Sequence, residues 1–249
     1  MADSSVDYAT VGGTDHHTAA ITVADADTDG AVAFSCTFSD SAGNAVASAV
    51  TALTAGSAIT IDNTHPTLSN IAMTTSNSNS GYAKSGDTIT LTITVSETVT
   101  GLACTIDGEN ANMGGSGTSW TAALTLSGDE TEQNTVFSCG SHVDAAGNAG
   151  AADTSADSGA VTTDLTVPTL SNIVEATSGS GDANNGDSVS LTITASEAIQ
   201  QPTCTYSSGG AAMASTPTYS GSGTSWTSSI AVADGDTNGA VTFSCAYSD

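Results

Sequence analysis

Along residues 86–97, GDTITLTITVSE, the apolar residues Ile89, Leu91, Ile93 and Val95 alternate strictly with Thr88, Thr90, Thr92 and Thr94. A period of two with threonine on one side predicts a strand buried on one face and wetted on the other. Leu102, Cys104 and Ile106 alternate in the same way, as do Trp120, Ala122, Leu124 and Leu126, and later Val241, Phe243, Cys245 and Tyr247. The cysteines are therefore expected on inward faces beside the core. Clusters of Gly, Asn, Asp and Ser, such as SNSNSGYAKSGD and SGSGDANNGD, separate these runs, and no stretch carries a helical period. The pattern predicts an all-β protein with about seven short strands per ~100 residues, the strand density of a β-sandwich.

The pattern recurs. PTLSNI stands at 66–71 and at 168–173, and GDTITLTITVSE returns as GDSVSLTITASE at 186–197, with eight of twelve positions identical. GSGTSWT occurs at 115–121 and 221–227, while DTDGAVAFSC at 27–36 returns as DTNGAVTFSC at 236–245, with QNTVFSC at 133–139 between them. A fixed period of this kind marks an array of modules. Residues 64–165 are expected to form one complete repeat, 1–63 the C-terminal half of another, and 166–249 a repeat lacking its last strand, so the chain reads as part of a longer series. Counting from Pro66 as strand A, the expected strands are B at 86–97, C at 102–106, E at 119–127, F at 134–141 and G at 159–164. Strand D falls between Glu109 and Gly115.

The repeat also orders the five cysteines. Cys104 matches Cys204, and Cys139 matches both Cys36 and Cys245. The expected bonds are Cys104–Cys139 and Cys204–Cys245, joining strand C to strand F within one sheet and leaving Cys36 over. Such regular disulfides imply an oxidising, extracellular setting, the alternative being buried free thiols.

The order PTL, GDTITLTITVSE, GSGTSW, a DTDG turn before a strand, then DAAGN resembles the bacterial immunoglobulin-like repeats of large secreted surface proteins and adhesins. The resemblance covers essentially the whole chain and implies tandem immunoglobulin-like Greek-key sandwiches serving as stalk or adhesive surface. The two cysteine positions are usually aliphatic in that pattern, so the disulfides rest on the pairing within this chain.

Charge narrows the partners. Lys84 is the one basic residue against 26 acidic ones, a formal net charge of −25. Binding nucleic acid means neutralising phosphates with basic side chains, so nucleic acid and anionic membrane surfaces are excluded as partners. No apolar run is long enough to cross a membrane as a helix, so membrane insertion is not expected, and the N-terminus lacks a secretory signal pattern. A self-repelling chain gains from bound cations, although solvated acidic surface accounts for the same composition.

In a seven-strand sandwich the E–F loop lies at one end and the B–C and F–G loops at the other. Stacked repeats would therefore bring Asp25, Asp27 and Asp29 to Asp62, Glu97 and Asp144 at one junction. A second junction would gather Asp129, Glu130, Glu132, Asp164, Glu197 and Asp249. Calcium takes six to eight oxygens from such loops, which makes both junctions candidate calcium sites. Asp-Gly turns explain DADTDG at 25–30 without metal. That run opens like an EF-hand loop, but Cys36 stands where the bidentate glutamate belongs.

Other constellations are weaker. His16 and His17 are adjacent, and His17 aligns with Trp120 and Trp226, which suggests packing on strand E; His65 and His142 recur in no other copy. No GxSxG elbow or Asn-linked glycosylation sequon occurs. The expectation is a non-enzymatic extracellular structural or adhesive segment of a cell-surface or filament protein. Its partners would be neighbouring repeats or subunits of the same kind, with a cell-surface or glycan ligand. One alternative is an accessory carbohydrate-binding module of a secreted enzyme, with Trp120 and Trp226 as sugar platforms. Another is a filament subunit completed by strand addition from its neighbour.

Overall fold

The computed structural model describes residues 7–11 and 16–249. The remaining residues of the expected partial repeat, 1–6 and 12–15, lie outside that description. The chain divides into two compact units, Met1–Leu165 and Thr166–Asp249, and all the described regular elements are strands.

The first unit takes in both the expected partial repeat and the complete one. In its N-terminal part, β1 (Asp7–Val11) and β2 (His16–Ala20) form an antiparallel pair, and β3 (Gly30–Ala31) pairs with β4 (Thr60–Ile61). A bridge between Cys36 and Val50 extends the second pairing. The complete repeat follows as β5 (Leu68–Thr75), β6 (Tyr82–Ala83), β7 (Thr88–Val99), β8 (Ala103–Ile106) and β9 (Glu109–Asn110). Then come β10 (Asn112–Thr125), β11 (Gln133–Asn134), β12 (Phe137–Gly140) and β13 (Thr162–Thr163).

One sheet runs β10-β7-β5 and the other β12-β8-β9, with β13 linking β11 to β6. This is the A-B-E against C-F-G partition of an immunoglobulin-like sandwich. The core between the sheets is the set the alternation selects: Ile89, Leu91, Ile93 and Val95 of β7, Cys104 and Ile106 of β8, Ala122 of β10, and Phe137 and Cys139 of β12. The threonines between them face outward because successive strand side chains alternate faces.

The structure departs from the expected map at strand D. Residues 109–110 form β9, which pairs with β8 of strand C, and β10 starts at Asn112, so no separate strand lies on strand E in the place of D among the described residues of this repeat. The cause is the Asp107–Gly108 turn, where both residues have positive φ, 49° and 87°. Two such residues in succession make the tight turn that matches strand twist, so the chain folds straight back onto strand C.

In the second unit, β14 (Leu170–Thr177), β15 (Ser188–Ala195), β16 (Thr203–Ser208), β17 (Ala211–Ala212), β18 (Thr218–Ser222), β19 (Ser225–Ala231) and β20 (Val241–Ala246) repeat the plan. The sheets run β14-β15-β19-β18 and β17-β16-β20 around Val189, Leu191, Ile193, Tyr206 and Ile230. Val241, Phe243, Cys245 and Tyr247, expected to face inward, are only half-buried or exposed, because no strand G lies along this edge among the described residues.

Each unit carries one disulfide at the same place, Cys104–Cys139 and Cys204–Cys245, with Cα atoms 4.1 and 4.0 Å apart. The partners face each other in register across strands C and F. In the first unit the Cys139 N–H donates outward to Asp153 O at 2.9 Å, which leaves Cys104 and Cys139 as a non-hydrogen-bonded pair. Side chains approach most closely at such pairs, and this is what brings the two sulfurs together. Cys36 is free and exposed.

Candidate metal centre

Within the first unit, carboxylate oxygens of Asp62, Glu97 and Asp144 all lie within 4.8 Å of one another. Asp62 follows β4 at the end of the partial repeat. Glu97 sits near the end of the long strand β7, and Asp144 opens the loop after β12. The loop of Asp144 is self-made: its Oδ1 accepts the Gly147 and Asn148 N–H groups at 2.7 and 2.8 Å, and its Oδ2 accepts Asn148 Nδ2 at 2.8 Å. Asn148 Nδ2 also donates to the Asp62 carbonyl at 2.9 Å, which ties the loop to the segment between the repeats.

Burial and the neighbouring charges of Asp144, Asp62 and Asp29 hold the Glu97 carboxyl above the usual glutamate range. Asp144 is itself buried, which opposes ionisation, but the donors of Asn148, Gly147 and Ala146 outweigh burial and keep its carboxyl below the usual range. The three groups offer up to about six hard oxygens, the donor type and number that calcium uses.

The other residues expected at this junction take different places. Asp29 accepts the Asn63 N–H at 2.7 Å and the Thr64 hydroxyl at 2.5 Å, which holds the 27–30 turn against the segment that follows β4. Asp27 is turned inward, its carboxylate accepting the Ala24 N–H at 3.0 Å, and Asp25 is exposed. Neither belongs to the converging group.

At the second expected junction, each residue is placed within its own unit. Glu130 accepts the Ser127 and Gly128 N–H groups at 2.7 and 2.8 Å, bonds that outweigh burial and lower its carboxyl. Glu132 accepts the Leu165 N–H at 3.0 Å, Asp129 is exposed, and the Asp164 N–H donates to Ala83 O at 2.9 Å. In the second unit Glu197 is half-buried, and the Asp249 carbonyl accepts Gln200 Nε2 at 3.1 Å.

The DAAGN run at 144–148 reads as a turn in the sequence, but the tie of its Asn148 to Asp62 and the role of Asn63 are not legible there. The available signal was DSAGN at 40–44, which matches DAAGN at 144–148 and makes the same bonds: Asp40 Oδ1 accepts the Asn44 N–H at 2.8 Å, and Asp40 Oδ2 accepts Asn44 Nδ2 at 2.8 Å. The motif is turn chemistry first, and at 144–148 it also places a carboxylate beside Asp62 and Glu97. No histidine joins a metal-ligating group among the described residues. His17 is exposed on β2 instead of packing as Trp120 does, and His65 Nδ1 lies 2.7 Å from Ala149 O. Trp120 and Trp226 pack against the cores and donate their indole N–H to Gly117 O and Gly223 O at 3.0 and 3.2 Å.

No family model matches the sequence, and no curated protein matches it. Among solved structures the chain is similar to the I9–I11 tandem from titin, at 12% identity over 74% of this chain and 63% of that one, with a TM-score of 0.27. The fold assignment rests on the strand order given above. Among the described residues, no helix is long and apolar enough to cross a membrane.

Proposed function

We propose that this chain is a non-enzymatic structural and adhesive segment of an extracellular modular protein, in which immunoglobulin-like sandwiches act as spacers and present a surface. The observation that carries this reading is the recurrence of one clamped sandwich, with the C–F disulfide at equivalent positions in both units. Disulfides of that regularity belong to an oxidising compartment. The packed, hydrogen-bonded Trp120 and Trp226 speak against sugar platforms, and so against the carbohydrate-module alternative. Labelling intact producing cells with a membrane-impermeant reagent tests the location: the chain is expected to be labelled without lysis, and labelling only after lysis would reject it.

Calcium at Asp62, Glu97 and Asp144 belongs to the same reading. Three converging carboxylates in a chain with one lysine repel, and a divalent ion there would convert that repulsion into a tie between the partial and complete repeats. Calorimetric titration of the chelator-stripped chain with calcium is expected to give one site in the first unit, lost in Glu97→Gln. Binding unaffected by that substitution would place the ion elsewhere.

A further inference from the structure

Residues 62–66 (DNTHP) join the partial repeat to the complete one inside the first unit, and both repeats grip them. From the partial repeat, the Asp29 carboxylate accepts the Asn63 N–H at 2.7 Å and the Thr64 hydroxyl at 2.5 Å, while Asn63 Nδ2 donates back to Asp27 O at 2.9 Å and Ala24 O at 3.3 Å. From the complete repeat, Asn148 Nδ2 donates to Asp62 O at 2.9 Å and Thr64 O at 3.3 Å, and His65 Nδ1 lies 2.7 Å from Ala149 O. Gly150 closes the contact: a Cβ there would stand 2.6 Å from Pro66 O and would enter the His142 ring. Pro66 and His142 are both fully buried.

The loop that makes the second grip follows a strand with one residue more than its counterparts. GSHV separates Cys139 from Asp144, whereas TFS separates Cys36 from Asp40 and AYS separates Cys245 from Asp249. The extra residue is accommodated at Ser141, whose φ is 60°. An inserted residue bends and twists its strand, which re-aims the side chains that follow. Asn44 and Asn148 both donate Nδ2 to the aspartate four residues earlier at 2.8 Å. Asn148 also reaches the joining segment, so it serves the turn and the joint at once.

The bonds fall on Asp62, Asn63, Thr64 and His65 in succession, and the ring of Pro66 fixes the φ of the residue that ends the run. A joint pinned at each residue keeps little of the torsional freedom that a hinge needs, because every bond removes conformations that a free linker would sample. None of these bonds passes through an ion. The two grips also come from different repeats, so releasing either one frees the segment from that side.

We propose that Asn148 and Asp29 form a metal-free latch that holds the partial and complete repeats in one fixed orientation across residues 62–66. The latch sets the angle at which one repeat hands on to the next. It goes beyond the structural role above, and it stands apart from the calcium reading, since it works with the carboxylates of Asp62, Glu97 and Asp144 empty of any ion.

Double electron–electron resonance on the oxidised chain in chelator tests the latch. One spin label goes on Cys36, the exposed free thiol of the partial repeat, and the other on Thr121→Cys, an exposed position of β10 in the complete repeat. The chain with the latch intact is expected to give one narrow distance, and Asn148→Ala is expected to lose it to a broad distribution. Asp29→Ala opens the other grip from within the partial repeat and should broaden the distance in the same way, whatever Asn148→Ala does to its own loop. Asn44→Ala removes the matching turn bond at 40–44 and should leave the distance narrow. A broad distance with the latch intact overturns the proposal, as does a narrow one in either Asn148→Ala or Asp29→Ala, or a broadening in Asn44→Ala that equals theirs.

Discussion

Replacing Cys104 and Cys139 together with alanine removes the clamp of the first unit without leaving a reactive thiol. The bond closes a loop with a sequence separation of 35. In the chain-entropy model a loop of that length restrains the unfolded state by about 4 kcal/mol. For a unit the size of Met1–Leu165 about 1 kcal/mol moves the melting midpoint by roughly 2–4 °C, so the transition of the first unit should fall by roughly 8–16 °C. The second clamp spans a separation of 41, and since the dependence on loop length is logarithmic, Cys204→Ala with Cys245→Ala should cost nearly as much. Differential scanning calorimetry reads both changes. Near-ultraviolet circular dichroism at low temperature should stay close to that of the parent, because the effect lies mainly in the unfolded chain. A loss below about 1 kcal/mol in either unit would refute the argument that the clamps stabilise by loop closure.

Other outcomes test the packing and the carboxylates. Gly159 has φ +79°, and a Cβ there would stand 2.0 Å from the Met73 carbonyl oxygen, so Gly159→Ala should cost roughly 2–4 kcal/mol in a urea titration. Asp157→Ala leaves the Ile71 N–H without its acceptor on a buried residue and should cost about 1–3 kcal/mol by the same assay. The pH profile without divalent ions should turn over. The raised Glu97 binds its proton more readily in the folded chain, so stability should rise as pH falls toward and through its elevated pKa. Asp29, Asp87 and Asp144 are lowered, so the stability they contribute is present above the ordinary aspartate value and lost as pH falls through their folded values. Glu97→Gln should flatten the rise and leave the acid fall in place, as read from melting midpoints against pH.

The sequence carried much of the fold because threonine alternates with aliphatic residues along β7 and β15, and a period of two has one structural reading. The internal repeat supplied the disulfide pairing and the loops that bring Asp62, Glu97 and Asp144 together, since both follow from strand order. Side-chain direction within a loop does not follow from strand order. Asp27 looked like a ligand beside Asp25 and Asp29, yet it turns back onto Ala24. The strand expected between Glu109 and Gly115 is the short β9, but the Asp107–Gly108 turn lays it on strand C instead of strand E, a pairing that the pattern of the following residues does not reveal. Phe243 and Tyr247 have the spacing of inward residues, and their exposure depends on a neighbouring strand that their own alternation does not encode.

Single-molecule extension of the chain from its two ends tests most directly whether these clamped sandwiches bear load as structural spacers. The account predicts that the complete repeat of the first unit unfolds in a resolved step while its Cys104–Cys139 loop stays locked, and that reductant adds about 120 Å of contour to that step, from 35 residues at about 3.4 Å each. Extension without a resolved step in the oxidised chain, or a contour length unchanged by reductant, would contradict it.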